Sequence, residues 1–228
     1  MPKRQQPLVS GYYYHVFNRE PNRKVTFTSP DEYERAKITL WYYQFQHLPV
    51  CLSTLLNKMP DCDRKRITNE LNIKDERKVD LLAYCLMPNH FHLLLRQKVD
   101  GGISKYVGDF QNSYTKYFNK KHNRRGGLLS QRFRAVLIKS HEQLLHLTRY
   151  IHLNPYASGG IKDFDELFCF PYSSIRSYLG TKEDELVNNK LIYDLFETGD
   201  GYCEFMKERG DYQKELSKIK KSLDLHEK

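Results

Sequence analysis

The chain has 228 residues, 37 Lys+Arg against 28 Asp+Glu, a formal net charge of +9 and 39% hydrophobic residues. That balance suits one packed domain with an appendage and excludes wholesale disorder and a membrane protein, since no run approaches the roughly 18 apolar residues a spanning helix needs. The basic opening MPKRQQPLVSGYYYHV lacks the apolar centre of a signal peptide, and the five cysteines form no CxxC, so a reduced cytoplasmic protein is expected.

In chain order, SGYYYHVFNR (10–19) reads as a first strand, rich in Tyr, Val and Phe. Ser29-Pro30-Asp31 opens a helical pattern over 30–47. From about 49 to 78 the chain is charged and helix-compatible, the mark of an insertion. KVDLLAYCLM (78–87) and HFHLLLRQ (90–97) are strand-like runs around Pro88-Asn89, a hairpin signal. Gly101-Gly102 releases the chain into a helix over about 103–121. NRRGG (123–127) is a turn and QRFRAVLIK (131–139) another strand. Ser140 with Gln143 forms a capping box for a helix to about Leu153, ended by Pro155. Beyond Gly180 the composition is charged and helical, with the weak apolar spacing of a peripheral tail. The expected architecture is α+β: an antiparallel sheet with helices on one face, a core domain over 1–180 with a helical insertion at about 49–78, and a helical tail over 181–228.

The charge is uneven. Ten basic and two acidic residues fall between 101 and 150, and four basic and nine acidic between 151 and 200. The basic block also holds Tyr106, Tyr114, Tyr117, Phe118, Phe133 and Tyr150. Cations displace counterions from phosphate and rings stack on bases, so nucleic acid is the expected partner; a solvated helix face is the alternative.

His90-Phe91-His92 on a strand puts both imidazoles on one face and Phe91 on the other, a geometry suited to two ligands of one metal ion. Phe91, Leu93 and Leu95 are then free to bury against helices. Tyr150 and Asn154, four residues apart near a helix end, share a face, while Leu144, Leu147 and Ile151 form a separate core-seeking stripe. A phenol beside a carboxamide oxygen offers a nucleophile and a third ligand together. Tyr14/Asn18 has the same spacing but lies in an apparent strand, where i and i+4 do not converge. Cys85, deep in a strand, reads as a small core residue. Tyr114 and Tyr117 are rival nucleophiles for which packing or stacking is the simpler role, and His146 reads as a plain exposed histidine.

YYYHVFNRE, AYCLMPNHFHLLL, LLSQRFRAVLI, RYIHLNPYASGGI and FPYSSIRSYLG, in that order over about residues 10–180, resemble the REP-associated tyrosine transposases of the single-tyrosine HUH nuclease superfamily. The resemblance implies an RRM-like or ferredoxin-like sheet with both histidines on a central strand. It implies Tyr150 as nucleophile and Asn154 in a third-ligand place that Gln often fills in related transposases. It also implies cleavage of single-stranded, hairpin-forming DNA through a 5′-phosphotyrosine, with a free 3′-hydroxyl. The long charged insertion and the YASGG continuation after Asn154-Pro155 depart from the family pattern.

The expected cofactor is a divalent ion on His90, His92 and Asn154, Mg²⁺ or Mn²⁺, with Mn²⁺ the better match for nitrogen donors. Arg132, Arg134 and Arg149 are assigned to phosphate contacts, and Lys116, Lys120, Lys121, Arg124 and Arg125 to the flanks of a DNA hairpin. Arg19 is assigned to the site on the family pattern. A monomer and a homodimer are equally compatible with the sequence. Two competing readings are a catalytically silent binder of structured DNA or RNA and a structural zinc site, the latter disfavoured because no Cys or His lies nearby at finger-like spacing.

Overall fold

Four apolar, Tyr-, Val- and Leu-rich segments form strands: β1 (Tyr13–Arg19), β2 (Val79–Met87), β3 (His90–Gln97) and β4 (Arg134–Ile138). They make one antiparallel sheet in the order β2-β3-β1-β4, with the α+β architecture expected. The structure, a computed structural model, describes residues 7–22, 24–196 and 199–208. The basic opening residues 1–6 and the tail residues 209–228 lie outside the described residues. Met87 pairs with His90, so Pro88-Asn89 is the two-residue turn of a hairpin.

Helices cover both faces of the sheet rather than one. Helices α1 (Pro30–Tyr42) and α4 (Gly102–Lys121) pack on the face carrying Tyr14, Val16, Tyr84, Leu86, Phe91, Leu93 and Leu95. Helix α5 (His141–Ala157) packs on the opposite face, with Leu144, Ile151 and Leu153 against Leu82, Ala83, Cys85, Met87 and Leu94. The reason lies in composition. β2 is buried at all nine positions and β3 at all but His90 and Arg96, so both are near-continuous apolar runs that must be covered on both sides.

The 49–78 segment holds α2 (Leu52–Lys58) and α3 (Asp61–Lys74), which close a small separate core with Tyr42 and Phe45. Helix α1 stops at Tyr42, and after a turn at Tyr43-Gln44 the chain bridges to the segment before β2 (Gln46 N–H to Glu76 O, 2.9 Å; Lys78 N–H to Gln44 O, 2.7 Å). No breaker residue signals that stop. At the start of α4, Gly101 sits at φ 70° and a Cβ on Gly102 would collide with the Lys78 carbonyl, so both glycines are required.

The described part of the tail is not peripheral. After α6 (Phe164–Phe168) and α7 (Ile175–Tyr178), the helices α8 (Lys190–Tyr193) and α9 (Gly199–Lys207) bury Ile192, Tyr202 and Met206 in the same cluster as α5. Residues 172–174 hydrogen-bond along the outer edge of β2 and cover it (Leu86 N–H to Tyr172 O, 2.9 Å; Ser174 N–H to Tyr84 O, 3.1 Å). Among the described residues no helix is long and apolar enough to cross a membrane.

Candidate active site

The alternation of β3 sends Phe91, Leu93 and Leu95 into the α1/α4 core and leaves His90 and His92 on the α5 face. Strand pairing then assembles a row across the whole sheet: Cys85, His92, Phe17 and Arg134. The next row holds Met87, His90 and Arg19.

Helix α5 begins where the capping box places it, with Ser140 Oγ accepting from the Gln143 N–H at 3.2 Å. The Gln143 side chain returns a bond to the Lys139 N–H at 2.9 Å. The helix runs through Pro155 to Ala157 instead of ending at Leu153. In the last turn a proline removes one hydrogen bond at the helix end, and Ser158 N–H still reaches Asn154 O at 2.9 Å. Burial of Ile151 and Leu153 turns Tyr150 toward the sheet, where its ring stands edge-on to His92 (centroids 5.6 Å apart, 88°) and to His15 (5.9 Å, 77°). Tyr150 remains 39% exposed. Asn154 lies one turn further along. Its Nδ2 donates to the Tyr150 carbonyl at 2.8 Å, and its side chain also bonds the phenol.

Burial lowers His15 and His90 to about 4, Arg19 adding to the effect on His90. Burial, with His15 and His90 beside it, holds His92 well below the ordinary histidine value. All three are neutral bases at pH 7, the form in which imidazole ligates metal. The Tyr150 phenol is raised by burial, against which the Asn154 bond works. Each histidine of the HFH pair has its Nδ1 engaged, His90 on Asn89 Oδ1 at 2.6 Å and His92 on His15 Nε2 at 2.9 Å. That leaves Nε2 of each as the nitrogen available to a ligand. Among the described residues no group of three His, Cys, Asp or Glu is arranged to hold a metal ion. Two neutral imidazoles and the Asn154 carboxamide nonetheless fit a divalent cation by donor chemistry.

The expected DNA-contacting residues separate into four groups. Arg19 and Arg134 are exposed and share the cross-strand rows of His90 and His92. Arg132 is exposed but precedes β4, so it does not alternate with Arg134 on a strand as expected. Lys116, Lys120, Lys121, Arg124 and Arg125 lie on or just beyond the C-terminal half of α4, on the other face of the sheet. Tyr114 Oη donates to Thr26 O, and Thr26 N–H to Pro88 O, both at 2.7 Å, so this half of α4 stands at the hairpin-turn end of the sheet, near His90. Within that group Lys121 pairs with the buried Glu32 (3.1 Å), and Arg124 bonds Asn119 and the Gly127 carbonyl.

Arg149 requires correction. It is 4% exposed, donates to Phe205 O at 2.9 Å and lies over the Phe205 ring at 4.0 Å. Its guanidinium braces α5 against α9 and is not presented to a phosphate. His146 bonds that guanidinium at 2.9 Å. Tyr114 is fully buried and Tyr117 packs beneath Arg35. Tyr14 Oη accepts from Val9 N–H and Asn18 donates to Ser130 O, so the second Tyr/Asn pair serves the fold.

Sequence reasoning missed His15. It stands within YYYHVFNRE, two residues from Phe17 and four from Arg19 on the same side of β1, but only the β1–β3 register carries it to His92.

Residues 54–154 match the family model described as "Transposase IS200 like", a span that includes His90, His92, Tyr150 and Asn154. A REP-associated tyrosine transposase solved bound to a REP hairpin shares the fold, with a TM-score of 0.52 and 13% identity over 82% of this chain and 98% of that one. A candidate transposase from Deinococcus radiodurans R1 aligns over 66% of this chain and 95% of that one, at 15% identity and a TM-score of 0.35. No curated protein matches. The chain thus matches the IS200-like transposase model over residues 54–154 and shares the fold of a REP-associated tyrosine transposase.

Proposed function

We propose that this protein is a transposase that cleaves and rejoins single-stranded DNA at hairpin-forming repeats, with Tyr150 as the nucleophile. The observation that carries the proposal is the placement of the half-exposed Tyr150 phenol edge-on to His92, two side chains brought together from separate parts of the chain. In the step itself, Tyr150 Oη forms a bond to the scissile phosphorus and the bond from phosphorus to the 3′-oxygen breaks. The phenol proton leaves and the departing oxygen becomes a free 3′-hydroxyl. The 5′-phosphotyrosine conserves the phosphodiester bond, so rejoining by a 3′-hydroxyl needs no nucleotide cofactor.

A phenol ionises near pH 10, and burial raises this one further, so its attack requires help. Asn154 bonds the phenol and opposes that rise. His90, His92 and Asn154 would hold a divalent ion, Mg²⁺ or Mn²⁺, which supplies Lewis-acid neutralisation of charge on the phosphate oxygens. Arg19 and Arg134 border the same face and place cations where the DNA backbone would lie. The hairpin preference is supported by the solved relative bound to a REP hairpin and by the basic end of α4.

The test is a denaturing gel of the protein with end-labelled single-stranded hairpin DNA from the flanks of its own gene, plus Mn²⁺, beside Tyr150→Phe. A covalent adduct on the 3′-side fragment, lost in the variant, is expected. Tight DNA binding with no adduct in any metal would favour the second reading, a catalytically silent binder of structured DNA or RNA.

A further inference from the structure

We propose that His15 is a positioning residue that fixes the tautomer and ring plane of His92 so that Nε2 of His92 faces the site with a free lone pair. This rests on the proposed reading of His92 as a metal ligand.

His15 lies on β1 opposite Leu94, and Phe17 is opposite His92. His15 is therefore the diagonal neighbour of His92 on the same face, close enough for long or aromatic side chains to meet. The two rings lie 5.1 Å apart at 20°, and Nε2 of His15 is 2.9 Å from Nδ1 of His92. A bond between two neutral imidazoles needs one N–H and one lone pair, which allows two arrangements. If His15 donates, the lone pair of His92 is consumed at Nδ1 and its Nε2 carries the proton, which bars it from a cation. If His92 donates, its proton sits on Nδ1 and Nε2 is open.

His90 shows which arrangement the site favours. Its Nδ1 meets Asn89 Oδ1 at 2.6 Å, and an amide oxygen only accepts. The proton of His90 is thus on Nδ1 and its Nε2 lone pair is open. His15 gives His92 the counterpart of what Asn89 gives His90. Two structural neighbours hold the ring in this plane: Phe17, stacked on His92 at 5.7 Å, and Tyr150, edge-on to both His15 and His92. Removing such an outer partner of a metal-ligating histidine typically weakens metal affinity about 10–100-fold.

The test has two readouts. Imidazole ¹⁵N shifts, recorded without metal, should show His92 as a single tautomer protonated at Nδ1 in the wild type and as a mixture in His15→Phe. Mn²⁺ binding, followed by the EPR signal of the free ion, should weaken about 10–100-fold in His15→Phe. It should largely recover in His15→Gln, whose carboxamide stands where Nε2 stood. A wild-type His92 protonated at Nε2 overturns the proposal without any variant. So does a His15→Phe protein that keeps both the tautomer and the Mn²⁺ affinity. A wild type that binds no Mn²⁺ but shows the tautomer change overturns the metal reading instead, and leaves the His15–His92 assignment standing.

Discussion

The phenol of Tyr202 lies 2.6 Å from Nδ1 of His152, and the other nitrogen of that ring meets Ser174 Oγ at 2.8 Å. His152 is two residues from the nucleophile proposed on α5, and Tyr202 is on α9, so the C-terminal helix and the edge-covering segment both grip the helix that carries Tyr150. All three groups are buried. Together with Arg149 on Phe205, these bonds set the rotation of α5 about its axis, and with it the direction of Tyr150 toward the sheet.

Tyr202→Phe should therefore cost about 1–2 kcal/mol, because it leaves a buried imidazole nitrogen unpaired at almost no change in volume. Urea unfolding gives the value directly. A midpoint equal to wild type would show that the bond adds nothing to stability.

Arg149 and Arg134 should part company. Arg149→Ala removes a buried guanidinium from the α5–α9 contact and is expected to destabilise by about 2–3 kcal/mol. Arg134→Ala removes an exposed side chain and should leave stability within about 0.5 kcal/mol. For DNA binding the order reverses. Arg134→Ala should weaken affinity and lower the salt slope of binding by about one unit, measured by anisotropy with labelled hairpin across a salt series. An unchanged slope for Arg134→Ala would remove this residue from the interface.

Tyr150→Phe should keep the fold, since the phenol is partly exposed and its ring contacts survive in Phe. A stability change below about 0.5 kcal/mol is expected together with loss of cleavage by at least about 10³-fold. An adduct that persists at wild-type rate would move the nucleophile to another tyrosine.

Acid should weaken the junction of α1 and α4 through Glu32. Burial by itself raises this carboxyl. Bonds from the Thr28 amide and hydroxyl, His122 and Lys121 outweigh burial and hold it at about 2, against an ordinary 4.5. The unfolded chain therefore takes up this proton first as pH falls. The contribution is complete above about 4.5 and is lost progressively toward about 2. The stability gap between wild type and Glu32→Gln should be largest at neutral pH and shrink below pH 4.5. A gap that stays constant with pH would contradict the assignment.

Much of this molecule is written locally. Alternation alone put His90 and His92 on one face. Helical spacing put Tyr150 and Asn154 on another, and Ser140 with Gln143 set where that helix begins. These are properties of neighbours in sequence, decided by backbone periodicity of 2.0 and 3.6 residues. Other features depend on partners far along the chain. Pro155 looked like a stop, but a proline in a final turn costs little once Tyr156 is buried. Arg149 looked like a phosphate ligand until Phe205 claimed it. His15 needed the β1–β3 register, because a one-residue slip would have sent it to the opposite face. The continuous apolar runs of β2 and β3 required a cover on each side of the sheet, yet only tertiary packing decided that α5 would be the second cover. Periodicity sets which way a side chain faces. Register and helix packing, driven by burial of apolar surface across distant segments, decide what it faces.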